Sequence, residues 1–248
     1  DLGVNFSLNR SKVLVLSEDK DIFGGELDNT ILKDQLNLMR VGEPMYVFYG
    51  YVEDGYDENG HIVYKNMDDD PAITAADKTI IGDPNPDFLV NLTTAVSYKG
   101  FTLSAFFQSS IGNDIYSLSM AAQAYDYGYN GNTLREVYYN HWTPENPTAK
   151  YPNLDQTSYK MSDRFVYDGS FVRLKNLELA YDVPCARSKF IKRARVYVSA
   201  QNLFTITSYP FWDPDINANG GGSSMIQGVD SYCYPSARTY TIGCRLTF

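Results

Sequence analysis

The chain alternates between apolar and polar residues along six separate stretches. A period of two places successive side chains on opposite sides of a β-strand, so each stretch predicts a strand with one apolar face. The last stretch is the clearest, with apolar residues at nearly every second position from Tyr240 to Phe248. The six predicted strands cover residues 2–8 with a continuation at 13–15, and then 88–98, 101–107, 171–183, 196–206 and 239–248.

The connections between these strands are alternately short and long. Lys99-Gly100 is a two-residue turn with glycine where positive φ is needed, and residues 184–192 are a second short link. The three long connections are residues 17–87, 112–169 and 207–236. Outer-membrane barrels show this asymmetry, with tight periplasmic turns and long extracellular loops. We therefore predict an all-β fold, an antiparallel transmembrane β-barrel to which the chain contributes about six spanning strands.

The alternation also assigns a side to each residue. We expect the apolar phase to face lipid and the polar phase to face the barrel lumen. In the last strand we interpret the apolar positions as a barrel assembly signal, formed by Tyr240, Ile242, Cys244, Leu246 and Phe248. The other residues expected to face lipid are Leu92, Val96, Leu103, Phe107, Leu179 and Val198, and those expected to face the lumen are Asn91, Thr93, Ser104 and Arg245.

The composition excludes some classes of protein. The chain has 21 Tyr and 13 Phe, and rings with one polar end suit sheet faces and membrane interfaces. No stretch approaches the roughly 18 uninterrupted apolar residues of a spanning helix. The net charge of −9 argues against nucleic acid, whose phosphates require a basic surface. An edge strand of a soluble β-sandwich would explain the last strand, but not the alternation of connection lengths.

One stretch of the first long connection resembles a calcium-binding loop. Counting from Asn66, oxygen ligands at positions 1, 3, 5 and 12 match an EF-hand-like pattern. Position 6 is Pro71, which cannot take the positive φ of the usual turn glycine. A solvated acidic loop with a helical turn capped at Thr74 is the alternative. The candidate ligands are Asn66, Asp68, Asp70 and Asp77.

The sequence offers little that could support catalysis. His61 and His141 lie 80 residues apart, and no nucleophile or metalloprotease motif accompanies them. Asp213 and Asp215 flank a proline, a pattern more typical of a turn than of a glycosidase. We therefore expect the chain not to be an enzyme. Aromatic loop residues could instead stack on a substrate, and the candidates are Tyr125, Tyr127, Tyr209, Phe211 and Trp212.

Eight short motifs, in order, resemble the C-terminal part of the SusC/RagA-type TonB-dependent outer-membrane receptors. The run from Ser162 to Asn176 is similar to the most recognisable sequence of that family. The other seven motifs are residues 41–44 with 48–51, then 81–88, 106–108, 112–116, 142–147, 201–205, and 213–215 together with the terminal strand. One such motif would be weak, but eight in sequence are specific.

The resemblance implies a fold, a location and partners. It implies a 22-stranded barrel in the outer membrane of a Gram-negative bacterium, with an N-terminal plug through which TonB supplies energy. It also implies a SusD-like surface lipoprotein that helps to capture oligosaccharide or peptide substrates, and no cofactor. Since the chain begins at Asp1 inside a strand pattern, we expect it to be a C-terminal piece of such an importer.

Two other function classes remain alternatives. A secreted all-β glycan-binding module or adhesin would also be rich in strands and aromatic residues. An outer-membrane enzyme with a small barrel is less favoured, because acid, base and nucleophile are missing. A plug domain encoded ahead of Asp1 would favour transport, whereas a signal peptide directly before Asp1 would favour the secreted module.

Overall fold

The structure is a computed structural model that describes residues 1–28, 32–125, 132–185, 190–216 and 225–248. No helix in these ranges is long and apolar enough to cross a membrane. The helices are α1 (Leu118–Tyr125) and α2 (Arg135–Tyr139), with 3-10 turns at Ser17–Asp19, Ala75–Asp77 and Asp163–Phe165. In chain order, the strands are β1 (Leu2–Ser7), β2 (Ile22–Phe23), β3 (Glu26–Asp28), β4 (Lys33–Gln35), β5 (Asn37–Met39), β6 (Val47–Gly50), β7 (Glu53–Tyr56), β8 (Ile62–Tyr64), β9 (Thr79–Gly82), β10 (Phe88–Tyr98), β11 (Phe101–Ile111), β12 (Asp114–Ser117), β13 (Val166–Asp168), β14 (Phe171–Val183), β15 (Arg193–Gln201), β16 (Thr205–Thr207), β17 (Val229–Asp230) and β18 (Thr239–Thr247).

Six long strands form one sheet, which we call the wall. They lie side by side in the order β1-β10-β11-β14-β15-β18, and each pairs with its neighbour in antiparallel direction. These are the six strands that the alternation predicts. Lys99 and Gly100 both have positive φ, as a two-residue type I′ hairpin requires. All three long connections consequently leave the wall at the same end.

The two faces of the wall differ in chemistry as predicted. Directly opposed residues of an antiparallel sheet point to the same side. The register therefore places one apolar row across five strands, formed by Val96, Leu103, Leu179, Val198 and Ile242. These residues are 44 to 87% exposed, so no second sheet covers them. We call this side the outer face.

Polar side chains occupy the opposite side of the wall, the inner face. Ser104 opposes Glu178 and Arg245 opposes Arg195, while Asn91 opposes Gln108. The predicted division into two sides is therefore confirmed for each of these positions.

Strand β14 carries a β-bulge where it pairs with β11. The register shifts by one residue opposite Phe106 and Phe107, which leaves Lys175 as the bulged residue. Across from the bulge, Asn202 takes a φ of +51° and its N–H donates to the Lys175 carbonyl at 3.1 Å. Asparagine tolerates this left-handed conformation better than most residues.

Two predicted strand extents are wrong. The fifth strand does not run to residue 206, because the turn at Asn202 ends β15 and sends β16 to pair with β14 instead. The first strand has no continuation at 13–15. The Val13 backbone there bonds to Gly42 and Glu43 of the first long connection.

The described parts of the long connections fold together into a loop domain, defined here as the described residues within 17–87, 112–169 and 207–236. Its centre is a hydrophobic core to which all three connections contribute, including Phe48, Tyr116 and Val229, which are fully buried. The wall has no comparable core of its own, since its apolar side lies open. The packing that holds the described residues together thus lies mostly in the loops.

Short hydrogen-bonded links tie the three connections to one another. Strand β12 pairs with β13 and also, in parallel, with β17 from the third connection. The Asn37 side-chain amide donates to the Tyr46 and Gln227 carbonyls at 2.8 and 3.0 Å. The N–H of Tyr51 donates to the Met161 carbonyl at 2.9 Å, joining the first connection to the second.

Candidate functional site

The loop domain leaves open space against the inner face of the wall. One cavity of about 480 Å³ lies beside the ends of β1 and β10. A second, of about 220 Å³, continues toward β11 and β14. Pro86 and Leu89 line both cavities, and we call the two together the inner-wall groove.

Polar and apolar residues line the groove together. The apolar lining includes Pro44, Pro84 and Pro214. Polar side chains enter from both the wall and the loops, and they are Ser7, Asn9, Arg10, Ser11, Asp83, Asn85, Asp87, Gln108, Ser110, Asn113, Asp215 and Gln227.

A buried ion pair fixes the loop domain to the wall beside the groove. Arg173 projects from the inner face of β14 and is only 1% exposed. Its guanidinium donates to Asp213, to Asp215 at 3.2 Å, to the Thr205 hydroxyl at 2.9 Å and to the Ser236 hydroxyl at 3.1 Å. This geometry assigns Asp213 and Asp215 to positioning Arg173, and not to acid–base chemistry.

The carboxylate of Asp213 is held in its charged form. Burial alone would raise the pKa of Asp213, but the N–H groups of Ser236 and Asp215, each at 2.9 Å, stabilise the anion. Together with the Arg173 guanidinium they outweigh burial, so the pKa lies below its usual range.

Two of the predicted substrate-binding rings lie inside the loop domain. Tyr125 is 4% exposed and stacks on Tyr159 with ring centroids 3.7 Å apart. Tyr209 is equally buried, and its hydroxyl donates to Asp230 at 2.6 Å. Burial, followed by the bond to Asp230, raises the pKa of Tyr209. Neither ring presents a face to solvent, so both pack the loop domain in this conformation.

The other predicted rings differ in accessibility. Phe211 and Trp212 stack with centroids 4.8 Å apart, and Trp212 is 56% exposed while Phe211 packs on the core. Tyr127 lies outside the described residues. Substrate contact by Phe211 and Trp212 stays a prediction.

In the loop that the sequence predicts to bind calcium, Asp77 caps a helical turn. Asp77 is fully buried, and its two oxygens accept the N–H groups of Met67 and Thr74, both at 2.7 Å. These two bonds lower the pKa of Asp77, and the bond from the Met67 N–H has the larger effect. With the Thr74 hydroxyl accepting from Ala76, they form a capping box on a helical turn.

The remaining candidate ligands are also bonded locally. Asp68 accepts the Asp70 N–H at 2.8 Å, and Asp70 accepts the Ala72 N–H at 3.0 Å. Asn66 donates to the Asp70 carbonyl at 2.5 Å. Within the described ranges, no group of three or more Asp, Glu, His or Cys side chains is arranged to hold a metal ion. Calcium binding stays a prediction.

A second buried ion pair lies in the loop domain and was not predicted from the sequence. Glu53 of β7 accepts from Arg164 and, at 2.6 Å, from the Ser162 hydroxyl. Both charged side chains are mostly buried, at 10% and 16% exposure. Their pairing joins residues 111 positions apart, and the only sequence signal was that Arg164 lies within a recognisable motif.

The motifs meet one another in the folded chain. Asp83 of the 81–88 motif exchanges hydrogen bonds with Asp114 of the 112–116 motif, at 2.8 and 2.9 Å. The 162–176 run supplies both Arg164 and Arg173 to buried ion pairs. These motifs therefore build the loop domain and its attachment to the wall.

The two histidines lie apart, as expected. His61 contacts Asp155 at 2.8 Å, and a ring nitrogen of His141 lies 2.7 Å from the Tyr138 carbonyl. Each is a contact between loop residues.

Comparison with known proteins identifies relatives along the whole chain. The TonB-dependent receptor P3 of Formosa agariphila is 32% identical over 98% of this chain. The TonB-dependent receptor SusC of Bacteroides thetaiotaomicron is 28% identical over all of it. The chain spans 26% and 24% of these relatives, about a quarter of their length. A comparison with models of protein families finds no match.

Solved structures agree with these relatives. A chain of the RagAB peptide transporter superposes with a TM-score of 0.81 at 25% identity, over all of this chain and 27% of its own length. The RagAB peptide importer in its open-open state gives a TM-score of 0.77 at 26% identity. These proteins are receptors and transporters and not enzymes, in agreement with the sequence. The chain therefore belongs to the SusC/RagA-type TonB-dependent receptors, of whose length it represents about a quarter.

Proposed function

We propose that the chain forms part of the barrel wall and the extracellular loops of a nutrient importer in the outer membrane of a Gram-negative bacterium. The observation that carries this proposal is the uncovered apolar row from Val96 to Ile242, which crosses five neighbouring strands. Contact with lipid satisfies such a surface, and the polar inner face then borders a lumen. A secreted module would need another layer to cover the row.

The complete receptor that we propose follows its relatives. It is a 22-stranded barrel, so β1 and β18 pair with strands outside this chain. TonB energises it through a plug, and a SusD-like lipoprotein covers the loop domain. Oligosaccharides or peptides pass between the loop domain and the lumen. The names of SusC and the RagAB peptide importer support this proposal.

Uptake by cells tests the proposal. The gene for the full-length receptor would be deleted from its host and restored, in strains with and without TonB. We expect uptake of radiolabelled oligosaccharide or peptide mixtures to require both proteins, and the receptor to sediment with outer membranes. Recovery of the protein from the culture medium, or uptake that is unaffected by both deletions, would contradict the proposal.

A further inference from the structure

We propose that the lower rim of the outer face binds the phosphate groups of anionic phospholipids, an inference that rests on the proposed membrane location. The lower rim is the end of the wall opposite the loop domain, and it comprises Tyr98, Lys99, Phe101, Tyr181 and Lys192. In the proposed receptor this end lies at the periplasmic leaflet, because the long connections leave the wall at the other end.

Aromatic side chains border the outer face at the lower rim. The register places Tyr98 opposite Phe101, and Phe101 opposite Tyr181. The ring centroids of Phe101 and Tyr181 are 4.5 Å apart, while Tyr98 and Phe101 are 70% and 51% exposed. The apolar row from Val96 to Ile242 lies two residues further along each strand. Such rings suit the boundary between the acyl chains and the headgroups of a bilayer.

Two lysines lie where the headgroups would meet the wall. The Lys99 Nζ is 5.2 Å from the centre of the Tyr98 ring, which places this ammonium on the outer face. Lys192 is exposed, and its N–H donates to the Thr247 carbonyl at 2.7 Å beside β18. Neither lysine forms a salt bridge with a residue in the described parts of the chain. A lysine stem can lie on apolar rings while its ammonium reaches a phosphate.

Basic residues outnumber acidic ones around the lower rim. The twelve residues that end at Arg195 include five Lys or Arg and no Asp or Glu, in a chain whose net charge is −9. Glu178 and Asp182 both form salt bridges with Arg195, at 3.6 and 3.4 Å. Asp1 and the terminal carboxylate of Phe248 lie at the two edges of the wall. The charge at this end therefore complements an anionic headgroup.

The separation of the two lysines favours lipid over a single bound anion. Strands β11, β14 and β15 lie side by side between Lys99 and Lys192, so two to three strand spacings separate the two lysines, about 10 to 14 Å. One phosphate ion cannot bridge this distance. Neighbouring phospholipids supply a phosphate for each lysine and acyl chains for the apolar row between the strands.

The test uses the purified full-length receptor in detergent with added phosphatidylglycerol or phosphatidylcholine, and bound lipids are counted by native mass spectrometry. Lys99→Gln and Lys192→Gln should each weaken binding of phosphatidylglycerol about fivefold, because each removes one positive charge from the membrane surface. Lys99→Arg keeps the charge and should retain binding. Lys12→Gln and Lys65→Gln remove exposed charges at the other end of the wall and in the loop domain, and should change neither lipid.

Two further measurements separate a lipid site from its alternatives. Added salt should weaken binding of phosphatidylglycerol, and excess inorganic phosphate should displace no more lipid than the same ionic strength of chloride does. Equal retention of the two lipids, unchanged binding in both lysine variants, or specific displacement by phosphate would each overturn the lipid site.

Thermal midpoints show whether the lysines contact protein instead. We expect Lys99→Gln and Lys192→Gln to lower the midpoint only when phosphatidylglycerol is present. An equal fall in detergent without lipid would assign the lysines to another part of the receptor and overturn the lipid site. None of these results affects the proposed function, which fails if the receptor does not sediment with outer membranes.

Discussion

The Arg173 guanidinium and the Asp213 carboxylate form a buried ion pair that joins wall strand β14 to the third long connection. Their side chains are 2% and 8% exposed, whereas the pair between Lys20 and Glu18 is 76% and 70% exposed. A charge left alone in a buried site is costly, because it has lost both water and its partner.

Removing one partner of this buried pair should therefore destabilise the protein strongly. We expect Arg173→Met to lower the free energy of unfolding by about 3 to 5 kcal/mol, since Asp213 would be left uncompensated. The double variant Arg173→Met with Asp213→Leu should recover part of the loss. Lys20→Met should change stability by less than about 1 kcal/mol. Chemical denaturation of the full-length receptor measures all three, and equal losses for Arg173→Met and Lys20→Met would contradict the role of burial.

The Asp213 carboxylate should make the stability of the protein depend on pH at acidic values. The pKa of Asp213 in the folded state lies below its ordinary value of 3.8, so the charged form favours folding. This contribution is present above about pH 4 and is lost as the pH falls through the folded pKa. In the variant Asp213→Asn, the loss of stability on lowering the pH should be smaller. Thermal midpoints between pH 2 and 6 would show it, and identical slopes in the variant and the parent would count against the assignment.

A methyl group at Gly50 should disturb the contact between the first and second connections. A Cβ there would lie 2.7 Å from the Met161 carbonyl oxygen and 2.8 Å from the Ile81 Cδ1. Since backbone cannot move aside easily, Gly50→Ala should cost about 1 to 3 kcal/mol. Gly3→Ala is the matched control, because its Cβ would meet nothing closer than 3.9 Å. Limited proteolysis of the loops would reveal the difference.

Arginine on the two faces of one strand should have different effects. Val198 lies on the outer face, and its neighbour Ser199 lies on the inner face. At mid-bilayer depth, Val198→Arg should destabilise the receptor in lipid by about 2 to 4 kcal/mol, whereas Ser199→Arg should be mild. Folding into lipid vesicles along a urea gradient measures this. A larger effect at Ser199 would mean that the faces are reversed.

Chelation tests the loop at residues 66–77. Because Asp77 already bonds two backbone N–H groups, we expect EDTA to leave the thermal midpoint of the receptor unchanged. Thr74→Ala should lower the stability of this loop by about 1 kcal/mol through loss of the cap. A fall in the midpoint with EDTA that added calcium reverses would instead establish a metal site.

The wall could be predicted from sequence because its pattern is local. A period of two assigns Leu103 and Leu179 to the apolar phase of their strands, and the structure pairs them on the same face. The kink at Asn202 could not be predicted in this way, since it depends on the bulge at Lys175 in the neighbouring strand.

The loop domain was less predictable for a related reason. Nothing in the sequence around Tyr125 distinguishes a ring that stacks on Tyr159 from a ring that is exposed and free to bind a ligand. Likewise, Arg173 and Asp213 are 40 residues apart, and their contact exists only once the third connection has folded over the wall. Tertiary packing decided both outcomes.

The shared core of the loop domain sets an order for biogenesis. Leu36 from the first connection and Val229 from the third are both fully buried in it, although 193 residues separate them in the sequence. Contacts between such distant segments form late, because their loop-closure entropy must be overcome first. We therefore expect the loop domain to mature only after β15 has crossed the sheet and released the third connection. A chain that stalls before that point would expose the aromatic interior of its loops to solvent.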